Sequence, residues 1–404
     1  MLPLKFAKER TSAVLREIQR LKQIDFPYGH SHAGLAEIEL IFQDRLNSLN
    51  EITADNHPSV VRAACLESLK AIANNLPYLG FILRSTDFRN SFETFGPLLR
   101  LARKILGKHI KLVVSSEWTY SPHILRATQS LPNFVLMGLP ASESANPLLI
   151  PLAGHELGHT AWQLRGLEDV FSSNVFSKIL EFASAEEKKY KEIFGSQVSD
   201  TLLANTNLSP AHKWAMRQCE ESFCDFLGLK IFGESYLWAF AYLVSPGAIP
   251  RTPWYPDIHD RAKNLEISSA EFGVSSPAGF ESWFSKCIYP KYSEKEAFWL
   301  FLADQAREAI TPDIIRKVNE IAVESSLPLR DDNKIEKVLT AFQLMIPASG
   351  VGDLVNILNA AWKAYNEESL WAELPIDRVS TLNELILKSI EILEYEERLA
   401  ANDT

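Results

Sequence analysis

The chain is short of the features that mark several large protein classes. It has four cysteines in 404 residues, Cys65, Cys219, Cys224 and Cys287, and no two stand in a C-x-x-C spacing. That excludes a disulfide scaffold. Long apolar runs are missing too. A membrane-spanning helix needs about 20 apolar residues, and the best stretch, Tyr236 to Val244, falls well short. The first residues carry Lys5, Lys8, Glu9 and Arg10 with no long apolar run behind them, so no signal peptide is expected. Positive charge is in deficit. Against 51 Asp and Glu stand 41 Lys and Arg, a formal net charge of −10, which argues against a nucleic-acid binder working by general phosphate neutralisation. No internal repeat stands out. The expectation is a soluble, cytoplasmic protein with no membrane insertion and no nucleic-acid partner.

What is present suits a packed globular chain. The hydrophobic fraction is 46% and the charged fraction 23%, and the length allows two or three domains. The first hundred residues read as helices: Leu15, Ile18 and Leu21 recur at helical spacing, Leu35, Ile38 and Ile41 roughly so, and Val60 to Leu76 and Pro97 to Leu106 follow. Two short β-branched, apolar runs then stand out as strands, Ile110 to Ser115 and Asn133 to Leu139. A helix is expected from Asn146 as N-cap, with Pro147 or Pro151 in its first turn, to Gly166. A polar helix over Ser173 to Phe194 and a long one from Ser209 to Gly233 come next, then a proline-punctuated segment from Pro246 to Pro256, then helices to the C-terminus. The fold class is mainly α with a small central β-sheet. The regions are a helical one over 1–107, one bearing the candidate chemistry over 108–264, and a helical one over 265–404.

The informative motif is H-E-x-x-H, present as His155-Glu156-Leu157-Gly158-His159. Residues four apart on an α-helix lie one above the other on one face. Both imidazoles can therefore reach one metal ion, zinc above all, in a shell that keeps a position for water. Glu156, beside the first ligand, can take a proton from that water. Gly154 and Gly158 each cost a helix about 1 kcal/mol against alanine and so ask for a reason, such as close approach of another backbone. The plain alternative is two histidines with no ion between them.

A third ligand is needed, and Cys219-Glu220-Glu221-Ser222-Phe223-Cys224-Asp225 offers it on a later helix. Glu221 and Asp225 share a face. Glu221 can complete the tripod, and Asp225, one turn on, can accept a hydrogen bond from the second ring nitrogen of a ligating histidine. Glu220, Cys219 and Cys224 are alternatives for the third ligand.

H-E-L-G-H followed by E-S-F-C-D resembles the gluzincin metallopeptidases, and the long separation between the two motifs is similar to the CAAX prenyl protease and heat-shock membrane protease type. Those relatives are membrane-embedded, and this chain has no spanning helices. The resemblance covers the two site helices and the segment after them, not the first or last hundred residues. It implies a zincin-like catalytic region with helical extensions, hydrolysing a peptide or protein substrate with zinc. It also implies a small sheet beside the site helices whose edge strand pairs with substrate, for which Asn133, Val135 and Met137 are the candidates. Tyr255-Pro256-Asp257-Ile258-His259-Asp260-Arg261 is similar to the H-P-x-x-x-x-R region of that type, with Tyr255 where the family has histidine. Tyr255, His259 and Arg261 are the candidates for holding a developing oxyanion.

Two other functions fit the same residues. One is a zinc hydrolase of a non-peptide amide. The other is a non-catalytic helical interaction protein with a structural zinc site, against which the intact Glu156 speaks. The insert between Gly166 and Ser209 is placed to cover a cleft as a lid.

Overall fold

The computed structural model describes residues 2–53, 55–87, 90–125, 130–247, 250–371 and 377–402. The chain divides into two compact units, Met1–Phe95 with Lys108–Ala145, and Gly96–Gly107 with Asn146–Thr404. The fold is mainly helical with one small sheet. The division differs from the three regions expected. The sheet groups with the N-terminal helices, and the C-terminal helices group with those that carry H-E-L-G-H and E-S-F-C-D.

The first unit holds α1 (Leu2–Leu21), α2 (Gly29–Asn50) and α3 (Pro58–Arg84). The buried face of α1 runs Leu4, Ala7, Thr11, Leu15, Ile18, Leu21, the spacing of a helix with one apolar side. The chain passes to the second unit along α4 (Ser91–Leu106) and returns for β1 (Lys111–Glu117), β2 (His123–Leu125) and β3 (Phe134–Pro140). Leu35, Ile38, Phe42, Phe81 and Ile82 from the helices close over Val113, Phe134 and Leu136 of the sheet.

The strand order is β1-β3-β2. This corrects the expected edge strand. β3 is paired along its length with β1, parallel, and over Leu136 to Gly138 with β2, antiparallel. Its run F-V-L-M-G-L is apolar on both faces, the signature of a covered central strand. Val135 and Met137 are buried, and the carbonyl of Asn133 already accepts from the Lys111 amide. None of the three is placed to receive a peptide. β2, three residues long, carries too little pattern to be read from sequence.

The second unit continues with α5 (Ala153–Leu164), α6 (Leu167–Ala185), α7 (Glu187–Phe194), α8 (Thr201–Phe232), α9 (Glu234–Val244), α10 (Ile258–Glu271), α11 (Glu294–Glu324), α12 (Asp332–Gln343), α13 (Leu354–Asn366) and α14 (Arg378–Asn402). α8 is its axis. Every residue from Gln218 to Leu229 is buried, and α5, α6, α9, α10, α11 and α13 all pack on this helix. α11 lies along it, so the C-terminal helices form part of the same core.

Two boundaries differ from expectation. Pro147–Leu152 is 3-10 rather than α, with the Asn146 side chain accepting from the Leu148 amide, and the α-helix starts after Pro151, which has no N–H to give it. α8 begins at Thr201, capped by Asp200, and carries Pro210 in its interior. The insert after Gly166 contributes to the core of this unit. Leu167, Phe171, Val175, Ile179 and Ala183 of α6 are buried, and the helix packs on α8 and α11. Among the described residues, no helix is long and apolar enough to cross a membrane.

Phe42 lies fully buried in the first core. Phe42→Ala is expected to destabilise that unit by about 3–5 kcal/mol, read by chemical denaturation.

Candidate metal centre

α5 and α8 cross at a seam with no room for side chains. A Cβ on Gly158 would lie 2.7 Å from Cys224 Cα, and one on Gly154 would lie 2.9 Å from Gly228 Cα. Gly228 is itself roofed by the Tyr236 ring, which a Cβ there would meet at 2.4 Å. Backbone cannot yield to such contacts, so the glycines repay their poor helix propensity by letting two helices touch. This close approach sets His155 and His159 over the acids of α8.

Each histidine is held by its own carboxylate. His155 Nδ1 donates to Asp225 Oδ1 at 2.9 Å, and His159 Nδ1 donates to Glu220 Oε1 at 2.9 Å. A carboxylate only accepts, so the proton of each neutral ring sits on Nδ1 and the lone pair on Nε2. Both Nε2 atoms face Glu221: His155 Nε2 is 3.4 Å from Oε2 and His159 Nε2 is 3.8 Å from Oε1. Glu221 is 1% exposed, and neither of its carboxylate oxygens has a hydrogen-bond partner.

This donor set fits a zinc ion. Two ligand atoms at opposite ends of a tetrahedral N–Zn–O angle lie roughly 3.3 Å apart when each is about 2.0 Å from the metal. A buried carboxylate without a partner is costly, and a cation between it and the two Nε2 atoms removes that cost. His155, His159 and Cys224 also offer ligand atoms within 4.8 Å of one another. Cys224 is therefore an alternative third donor. In the metal-free site burial, then the charges of Glu221, Glu220, Asp225 and Glu156, push its thiol well above the usual range, and a coordinated cation would deprotonate it outright. Cys219 is a core residue whose thiol burial raises to about 12.

The acids are set in a field of compensating charge. Burial opposes ionisation of Asp225, but the Arg261 guanidinium and His155 hold it well below the usual carboxylate range. Arg261 Nε donates to Oδ2 at 2.8 Å and Nη2 to Oδ1 at 2.7 Å, and the Tyr236 hydroxyl donates to Oδ1 at 2.9 Å. Burial disfavours a charged His155, yet the hydrogen bond to Asp225 and the nearby carboxylates of Glu221 and Glu156 outweigh it and lift the imidazole to about 10. A metal ion at Nε2 would take the place of the second ring proton.

The remaining sequence candidates fall differently. Glu156 sits in the first turn of α5, 7% exposed, and its charge acts on His155, Cys224 and Tyr255. Tyr255 is half-exposed, and the Glu221 charge is the largest influence raising its phenol. Arg261 is committed to Asp225 through two hydrogen bonds. His259, two residues earlier on α10, lies on another face of that helix, with Nε2 3.5 Å from Glu281 Oε1. Three contributions were hidden from the sequence: Glu220 as the acceptor for His159, Arg217 against Glu220, and Tyr236 on Asp225. The only signal for the first is its position three residues after Arg217.

No family model, no curated protein and no solved structure matches the chain.

Gly158→Ala is expected to force the seam apart and cost about 1–3 kcal/mol in denaturant unfolding, because the clashing atom is backbone.

Proposed function

We propose that this chain is a zinc-dependent peptidase in which His155, His159 and Glu221 bind the metal and Glu156 is the general base. One observation carries the reading: two imidazole lone pairs and one buried, unpartnered carboxylate converge on the same point, while both Nδ1 atoms are tied off by acids. A structural site has no use for a fourth acid at its edge, and Glu156 is that acid.

A bound zinc ion would polarise the scissile carbonyl and lower the pKa of a water. Glu156 takes a proton from the attacking water and passes it to the leaving amine, a transfer that contributes about 10²–10⁴ in rate. Asp225 holds the His155 ring in the tautomer that presents Nε2, and Arg261 with Tyr236 holds Asp225. Tyr255 is the donor assigned to the oxyanion, since Arg261 and His259 face other partners. The substrate is a peptide or protein. Four free thiols, three of them buried, suit a reducing cytoplasmic setting.

Metal analysis of the purified protein tests the reading. The parent should carry one zinc per chain, Glu221→Ala should lose it, and Cys224→Ser should keep it. Glu156→Gln should bind zinc as the parent does and cut an unbiased peptide pool at least a hundredfold more slowly. A folded, zinc-supplied parent that binds none would reduce H-E-L-G-H to a chance helix pattern. A zinc-loaded parent that leaves the whole pool intact would move the reading to a non-peptide amide.

A further inference from the structure

Asp225 has a counterpart that the motif does not announce. Glu220 is 5% exposed and accepts from His159 Nδ1 through Oε1. Its other oxygen, Oε2, takes a charge-assisted hydrogen bond from Arg217 Nη1, one turn back on α8. Arg217 Nη2 also stands 3.9 Å from Glu221 Oε1. Each histidine is thus followed by a carboxylate and then by a guanidinium: His155–Asp225–Arg261 on one side, His159–Glu220–Arg217 on the other. The first chain is more enclosed, with the His155 and Arg261 side chains each 13% exposed and Asp225 2%. The second ends at the surface, where the Arg217 side chain is 31% exposed.

We infer that Arg217 and Glu220 are positioning residues for the metal site, acting on the ion through His159. The inference rests on the peptidase reading for the identity of the ligands and goes beyond it in the role given to this pair. The physical ground is the freedom each member would otherwise have. An imidazole on a helix can rotate about χ2 unless its far nitrogen is tied. Glu220 ties it, but a glutamate has three rotatable torsions and holds a fixed oxygen only if its second oxygen is also held. The guanidinium fork supplies that second hold in a set geometry, which a lysine ammonium supplies less well. Because Arg217 also lies near Glu221, it sets the spacing between the ligand acid and the orienting acid that precedes it in sequence. An ordinary surface ion pair at this helical spacing would contribute little to stability and nothing to metal binding. That is the contrasting expectation.

The test is zinc affinity by competition with a chromophoric chelator, on the parent, Arg217→Ala, Arg217→Lys and Glu220→Gln. Each is also loaded with cobalt(II) alone and its visible spectrum recorded. Loss of outer-sphere partners typically costs 10–100-fold in metal affinity. Arg217→Ala and Glu220→Gln should each weaken zinc binding about tenfold or more and shift the cobalt bands, measured at a temperature where each variant is folded before metal is added. Arg217→Lys should recover part of the affinity. Zinc affinities of both variants within twofold of a zinc-binding parent would overturn the role of the pair and leave the peptidase reading standing. A parent that binds neither metal would overturn both. Should Glu220→Gln not fold, the comparison of Arg217→Ala with Arg217→Lys decides the matter alone.

Discussion

Everything at the candidate site depends on how closely α5 and α8 approach. Imidazole and carboxylate side chains are short, and three of them meet at one point only if their helices nearly touch. Gly154 and Gly158 on one side and Cys224 and Gly228 on the other supply that contact, with Cα to would-be Cβ distances under 3 Å. A larger residue on α5 at this seam would push the histidines away from Glu221. The same constraint explains why α8 is the buried axis of its unit. A helix that must present Glu220, Glu221 and Asp225 inward needs a protein built around its other faces, and α6, α9, α10, α11 and α13 provide one.

That arrangement carries an electrostatic burden. Glu156, Glu220, Glu221 and Asp225 are all under a tenth exposed, and buried acids are tolerated only when paired. Arg261 and Tyr236 answer for Asp225, Arg217 answers for Glu220, and the two histidines face Glu221. What stays unanswered is the hydrogen-bonding capacity of Glu221, both of whose oxygens lack a partner. A divalent cation would complete this set on the reading proposed above, because it would satisfy the carboxylate and both Nε2 lone pairs at once.

Much of the site could be read before the fold was known, because it is written in local spacing. H-E-x-x-H and E-x-x-x-D each declare which residues share a helix face, and the caps at Asn146 and Gly166 bound the helix region. The glycines signalled close packing by their propensity cost. Contacts between distant segments were not legible. Glu220 stood only as an alternative third ligand, with no sign that it would accept from His159, and nothing at Tyr236 announced a hydrogen bond to Asp225. Arg261 was visible as a charged residue near the site, but its bidentate hold on Asp225 depends on how α10 docks on α8. The mainly helical class with a small sheet was plain from periodicity. The place of β3 was not, since an apolar run of seven residues shows that both faces are covered and not which strands cover it. Proline misled twice, at Pro147, which opens a 3-10 turn and not the α-helix, and at Pro210, which α8 carries in its interior.

The most direct test of the account is the zinc X-ray absorption spectrum of the metal-loaded protein in solution. Coordination by His155, His159 and Glu221 requires a first shell of nitrogen and oxygen alone at about 2.0–2.2 Å, with the outer-ring scattering of two imidazoles. A zinc–sulfur distance at about 2.3 Å would place Cys224 in the shell and contradict the ligand set on which the function is argued.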